Sequence, residues 1–165
     1  MGVGTIIATA IAILLLIITA YVLIGGTLAT AKTAVYAQRA MTDQENQRIH
    51  TRIEIANASV NTGAGETFLE VKNTGSEVIG DFGHMEVYLL QNVTPDDFTP
   101  YTYTNLPADY NFTYRMNPPD LVHPGLLDPD EVVNMTVHYD AAKGDPWWVK
   151  VTTPNGVYDS AYLVP

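Results

Sequence analysis

The chain has no cysteine among its 165 residues. That excludes a disulfide framework, a thiolate nucleophile and a zinc–cysteine site. It has only eight Lys and Arg against 18 Asp and Glu, a net charge of −10. A surface this acidic repels phosphate backbones, which excludes a nucleic-acid-binding role. Serine is scarce, at Ser59, Ser76 and Ser160, and none sits in a Gly-x-Ser-x-Gly setting. The four histidines, His50, His84, His123 and His138, form no close pair and no HExxH pattern. No catalytic set, metal site or cofactor motif emerges, so the chain reads as a non-enzyme. The densest carboxylates, Asp96-Asp97 and Asp128-Pro-Asp-Glu131, read as solvated acidic turns ahead of a Ca2+ site.

The first 31 residues lack charge altogether. From Val3 to Ala29 the chain is Ile, Leu, Val, Ala and Gly with a few threonines. As a helix this segment is about 40 Å long, against a hydrocarbon core of about 30 Å. It is too long for a signal-peptide core and has no basic residue before it, so it reads as an uncleaved signal-anchor helix over 1–31. Residues 32–50 contain no Pro or Gly and many helix formers, and predict a helical stalk with a weak apolar stripe of Val35, Met41 and Ile49. Such a stripe suits self-association, and a homo-oligomer is expected. Gly25-Gly26, near the end of the apolar run, is a candidate hinge or close-approach surface.

From Thr51 the apolar period changes from 3.6 to 2. Alternating runs recur at 52–56, 67–72, 85–89, 101–104, 110–116, 133–139, 147–152 and 157–164. Turn signals separate them: Asn73-Thr-Gly-Ser76 and Pro154-Asn-Gly156, the latter a hairpin. Seven to eight short strands over 51–165 predict an antiparallel β-sandwich of immunoglobulin-like type. The loops 92–100 and 117–130 are rich in Pro and Asp. Trp147 and Trp148 are candidate partner-docking residues. Alternation places one inward and one outward, and phase alone does not say which.

Two signals for orientation conflict. Lys32, Arg39 and Arg48 follow the apolar run, which by the positive-inside rule draws the β domain inward. Four N-glycosylation sequons, at Asn57, Asn92, Asn111 and Asn134, point outward. Alternation puts Asn111 and Asn134 opposite the apolar residues of their strands, whereas Asn57 shares phase with Ile53 and Ile55. The acidic balance and the sequons together favour an extracytoplasmic β domain.

Three stretches resemble proteins of the archaellum, the archaeal swimming filament. They are Met-Gly-Val-Gly-Thr before one long apolar helix, Leu69-Glu-Val-Lys-Asn-Thr-Gly-Ser76, and Leu127-Asp-Pro-Asp-Glu-Val-Val-Asn134. The chain resembles accessory proteins of the FlaF and FlaG type, which are related to archaellins. No basic residue precedes Gly2 or Gly4, unlike the leader of a filament archaellin. The resemblance implies a membrane-anchored stator protein whose β-sandwich binds the S-layer, with the S-layer protein, a FlaG-like or archaellin partner and the membrane as its contacts. The alternative it implies is an archaellin or pilin-like subunit that polymerises through its N-terminal helix.

Overall fold

A computed structural model describes residues 2–91, 100–108, 110–120 and 122–163. The chain separates into two compact units, 1–44 and 45–165. One helix, α1 (Val3–His50), fills the first unit and ends six residues into the second. It runs through Gly25-Gly26 and through Thr42-Asp43 without a break. No residue of α1 is buried, and it is long and apolar enough to cross a membrane.

The threonines in the apolar part do not leave a hydroxyl unpaired. Thr5 donates to the Gly2 carbonyl at 2.9 Å, Thr19 to Leu15 at 2.9 Å, Thr27 to Ile24 at 3.0 Å and Thr30 to Gly26 at 3.0 Å. Backbone carbonyls three or four residues back therefore satisfy these polar atoms, as a water-free setting would demand.

The second unit carries eight strands: β1 (Ile53–Asn61), β2 (Glu66–Asn73), β3 (Glu86–Leu90), β4 (Tyr101–Tyr103), β5 (Asn111–Met116), β6 (Val132–His138), β7 (Trp148–Thr152) and β8 (Tyr158–Tyr162). Their hydrogen-bonded order is β1-β2-β6-β5-β4-β3-β7-β8. Every pairing is antiparallel except β4 with β5, which is parallel. That link joins two antiparallel halves, and β8 returns beside β1. The two halves face each other across one core. Leu69, Val71, Phe112, Val133, Met135 and Val137 come from one half; Val87, Leu89, Tyr101, Val149 and Val151 come from the other, all buried.

The predicted period of 2 holds best in β6. Val133, Met135, Val137 and the following Tyr139 are at most 2% exposed, while Asn134, Thr136 and His138 stay half-buried on the outer face. Each such apolar side chain contributes about 1.5–3 kcal/mol by leaving water. The predicted helix and β-sandwich are both present. The Pro154-Asn-Gly156 turn joins β7 to β8, with Gly156 at φ 81, a left-handed conformation that glycine adopts without steric cost.

Two local expectations are corrected. Asp128 is not a solvated turn residue: it is buried and accepts from the His123 backbone N–H at 3.0 Å and pairs with His123 Nδ1 at 2.7 Å. Neither tryptophan is a core residue. Trp147, in phase with Val149 and Val151, lies beyond the end of the core and is 40% exposed, and Trp148 is half-buried on the outer face.

Candidate functional site

The two short stretches that carry the family resemblance meet in space. Asn73, fully buried at the end of β2, accepts at its Oδ1 from the Gly75 N–H at 3.0 Å. Its Nδ2 donates to the carbonyls of Glu77 at 2.8 Å and Leu127 at 3.0 Å. Its backbone N–H donates to Glu131, and its carbonyl accepts from Asp130. Lys72 and Asp130 form an ion pair at 2.9 Å. The same turn receives the end of α1. The His50 carbonyl accepts from the N–H groups of Ser76 at 2.9 Å and Glu77 at 3.2 Å, and the Arg52 carbonyl accepts from Thr74 and Gly75. A helix end leaves carbonyls without intrahelical partners, and here the Asn-Thr-Gly-Ser turn supplies donors. Gly75 is required by close approach: a β-carbon there would collide with the His50 carbonyl and the Arg52 amide.

The second feature is an aromatic face on β3, β7 and β8. Trp147 stacks on Tyr162 with ring centroids 6.2 Å apart and planes 16° from parallel. Tyr162 is 74% and Tyr158 62% exposed. Lys150 Nζ lies 4.3 Å from the Tyr158 ring centroid and 5.6 Å from that of Tyr88, within cation–π range. The Tyr88 hydroxyl donates to Glu86 at 2.6 Å. That bond, then burial, raises the phenol above its ordinary pKa. Trp148 pairs in register with Leu90 on one side and Tyr162 on the other. Tyr158 and Tyr162 were not singled out in the sequence, although their position two residues either side of Ser160 in a terminal strand was the available signal.

The sequons are placed differently from one another. Asn57 is exposed on β1; Asn111 on β5 and Asn134 on β6 are half-buried; Asn92 lies outside the described residues, as does the loop 92–99. Gly25 and Gly26 have open space where a β-carbon would sit. Each histidine has its own local partner: His50 with Ser76 at 3.3 Å, His84 with Asp81 at 2.8 Å, His123 with Asp128, and His138 with Glu66 at 3.5 Å.

A single apolar helix that leads into an all-β unit with exposed aromatic side chains on its strands defines a class of helix-tethered β-sandwich proteins. The chain matches the archaeal-type flagellin family over residues 2–162, and it belongs to that family. The resemblance to archaellum proteins is thereby borne out. An uncharacterized protein of Archaeoglobus fulgidus is 24% identical over 161 residues, which cover 98% of this chain and 95% of that protein. Among solved structures, the archaellum periplasmic stator protein FlaG from Sulfolobus acidocaldarius is similar, with a TM-score of 0.49 and 20% identity over 67% of this chain and 97% of that one. The FlaF–FlaG complex of the same organism gives the same TM-score and identity, over 67% of this chain and 87% of that one.

Proposed function

We propose that this archaellum component is a membrane-anchored stator protein of the FlaF type, a non-enzymatic part whose β unit stands outside the membrane and binds the S-layer. The observation that carries the reading is the change of character along α1. The helix is uncharged through Ala31, then bears Lys32, Arg39, Asp43, Glu45 and Arg48, all exposed. A lipid span needs the first stretch, and a stalk in water tolerates the second. A filament core would bury these five charges, each needing a partner. A rotating filament also needs a counterforce. A helix in a fluid bilayer resists extraction but not lateral drift, so a folded domain held by a crystalline layer supplies what the helix lacks. The face of Trp147, Trp148, Tyr158 and Tyr162 is the surface we assign to that contact, since exposed aromatic clusters dominate binding energy at interfaces.

A second reading is favoured by the family match itself, which spans helix and β unit together. A filament subunit would pack residues 3–29 on identical helices, and an all-round apolar helix buries there as well as in lipid. Electron microscopy of the purified full-length protein and of shed filaments separates the two. Isolated membrane-bound copies support the stator reading; this chain as the repeating helical subunit overturns it. Orientation has its own test: protease added to intact protoplasts removes the β unit if it faces outward and spares it if it faces the cytoplasm.

A further inference from the structure

We propose that Asn57 carries an N-linked glycan and that its first sugar lies over the ring of Phe68. This rests on the outward orientation argued above. Of the three described sequons, only that of Asn57 sits on a strand with a single ladder neighbour. β1 pairs with β2 alone, whereas β5 lies between β4 and β6, and β6 between β2 and β5. On its other side β1 has no ladder and only the side-chain bond from the Ile55 N–H to Asp159, so its segment detaches locally with the loss of fewer hydrogen bonds and a transferring enzyme reaches it most readily.

A bulge completes the presentation. The register runs Ile55↔Val71 and then Asn57↔Glu70, leaving Ala56 without a partner. The extra residue turns Asn57 out of the phase of Ile53 and Ile55 and onto the outer face, with Ser59, the hydroxyl member of the sequon; both are exposed. Asn111 is engaged instead, its Oδ1 accepting from the Ala108 N–H at 3.1 Å. Asn134 has its Oδ1 buried and without a hydrogen-bond partner. A glycan is bulky and must stand in water, which the Asn57 position allows.

The surroundings of Asn57 suit a sugar. Phe68 is 42% exposed and pairs with Ser59, one diagonal step from Asn57, a separation of about 7–8 Å that a first sugar spans. Asn57, Ser59, Phe68, Glu70, Asn134 and Thr136 line an open depression of about 360 Å3 on the outer face. The C–H face of a pyranose covers the Phe68 ring. In the transfer, Asn57 Nδ2 forms a bond to the anomeric carbon of a sugar esterified to a membrane-lipid phosphate. The anomeric C–O bond breaks, the lipid phosphate leaves with its electron pair, and the amide nitrogen gives one proton to the base of the transferring enzyme.

The test uses the full chain isolated from its own cells. Cleavage after Lys and Arg gives peptide 53–72, which contains only the Asn57 sequon, and peptide 116–143, which contains only that of Asn134. Mass spectrometry is expected to find a sugar mass on the first and none on the second. Removing the sugar is expected to lower the melting temperature of the wild type, and to lower it less in Phe68→Ala. An unmodified 53–72 overturns the proposal, as does a 116–143 modified to a comparable extent. An unchanged melting difference in Phe68→Ala overturns the stacking on Phe68. If both peptides are bare, a membrane-impermeant amine reagent on intact cells tells the failures apart. Labelled Lys72 and Lys150 confine the failure to this proposal, and unlabelled ones remove the outward orientation with it.

Discussion

The Asn73 side chain donates to the Leu127 carbonyl at 3.0 Å across 54 residues of sequence. It ties the turn beneath α1 to the segment that feeds β6. Because Asn73 is fully buried, its removal takes the Nδ2 donor from the Glu77 carbonyl and leaves the Gly75 N–H with the Arg52 carbonyl alone. We expect Asn73→Ala to destabilise the 45–165 unit by about 1–3 kcal/mol. Asn73→Asp should cost more, since a carboxylate would face two carbonyl oxygens. Urea unfolding of 45–165 followed by tryptophan fluorescence checks both, and an unchanged midpoint would remove Asn73 from this role.

Gly75 gives a sharper test of the same junction. The atoms that a β-carbon would meet belong to the backbone of His50, Thr51 and Arg52, not to a flexible side chain. Gly75→Ala is therefore expected to cost about 3 kcal/mol. Gly63, whose β-carbon would meet only the Asn61 side chain at 3.9 Å, serves as the control, and Gly63→Ala should leave the midpoint nearly unchanged. Equal effects from the two substitutions would contradict the close approach.

Alkaline pH probes the core. Burial, and then the hydrogen bond from the Tyr139 hydroxyl to Asp145 at 2.8 Å, raise the Tyr139 pKa well above its ordinary value. In the unfolded chain the phenol ionises near pH 10, about its unperturbed value. Below that pH both states hold the proton and the stabilisation is intact. Above it the unfolded state releases the proton while the folded state keeps it, so stability falls as pH rises towards the folded pKa. Melting of 45–165 between pH 8 and 12 should show this decline, and Tyr139→Phe should make it shallower, the remainder coming from Tyr88 and Tyr114, whose pKa values are raised as well. A wild-type melting temperature that stays level to pH 12 would contradict the assignment.

Much of this unit was readable in one sequence because its strands are half-buried. In β6 and around Val87 and Leu89, one face meets the core, and the alternation of apolar residues records it directly. The position of Asn57 was not readable, because a single extra residue at Ala56 reverses the phase, and alanine carries no mark of being extra. The parallel β4–β5 pairing was equally hidden: Tyr101-Thr-Tyr103 alternates in the same way whichever neighbour it takes. Between the β1 and β8 edges, Asp159 accepts from the Ile55 N–H at 2.8 Å. An aspartate near a chain end gives no hint of a partner 104 residues away. The tryptophan pair misled because alternation sorts residues only where core lies beneath them. At Trp147 the core has ended, and the inward phase leads to the rim.

That rim supplies the test of docking. Trp147 and Tyr162 are both exposed and stack on each other, so truncating either changes the surface with little loss of core packing. Trp147→Ala should weaken binding of the 45–165 unit to isolated S-layer protein by about 2 kcal/mol, roughly 30-fold. Tyr162→Ala should weaken it in the same direction, and the double substitution by less than the sum, because each ring supports the other. Thermal melting of the variants must remain near wild type for the comparison to report on the surface. If the folded wild-type unit shows no binding across salt and pH, the S-layer contact fails. If binding survives in both variants, the contact lies on another face of the sandwich.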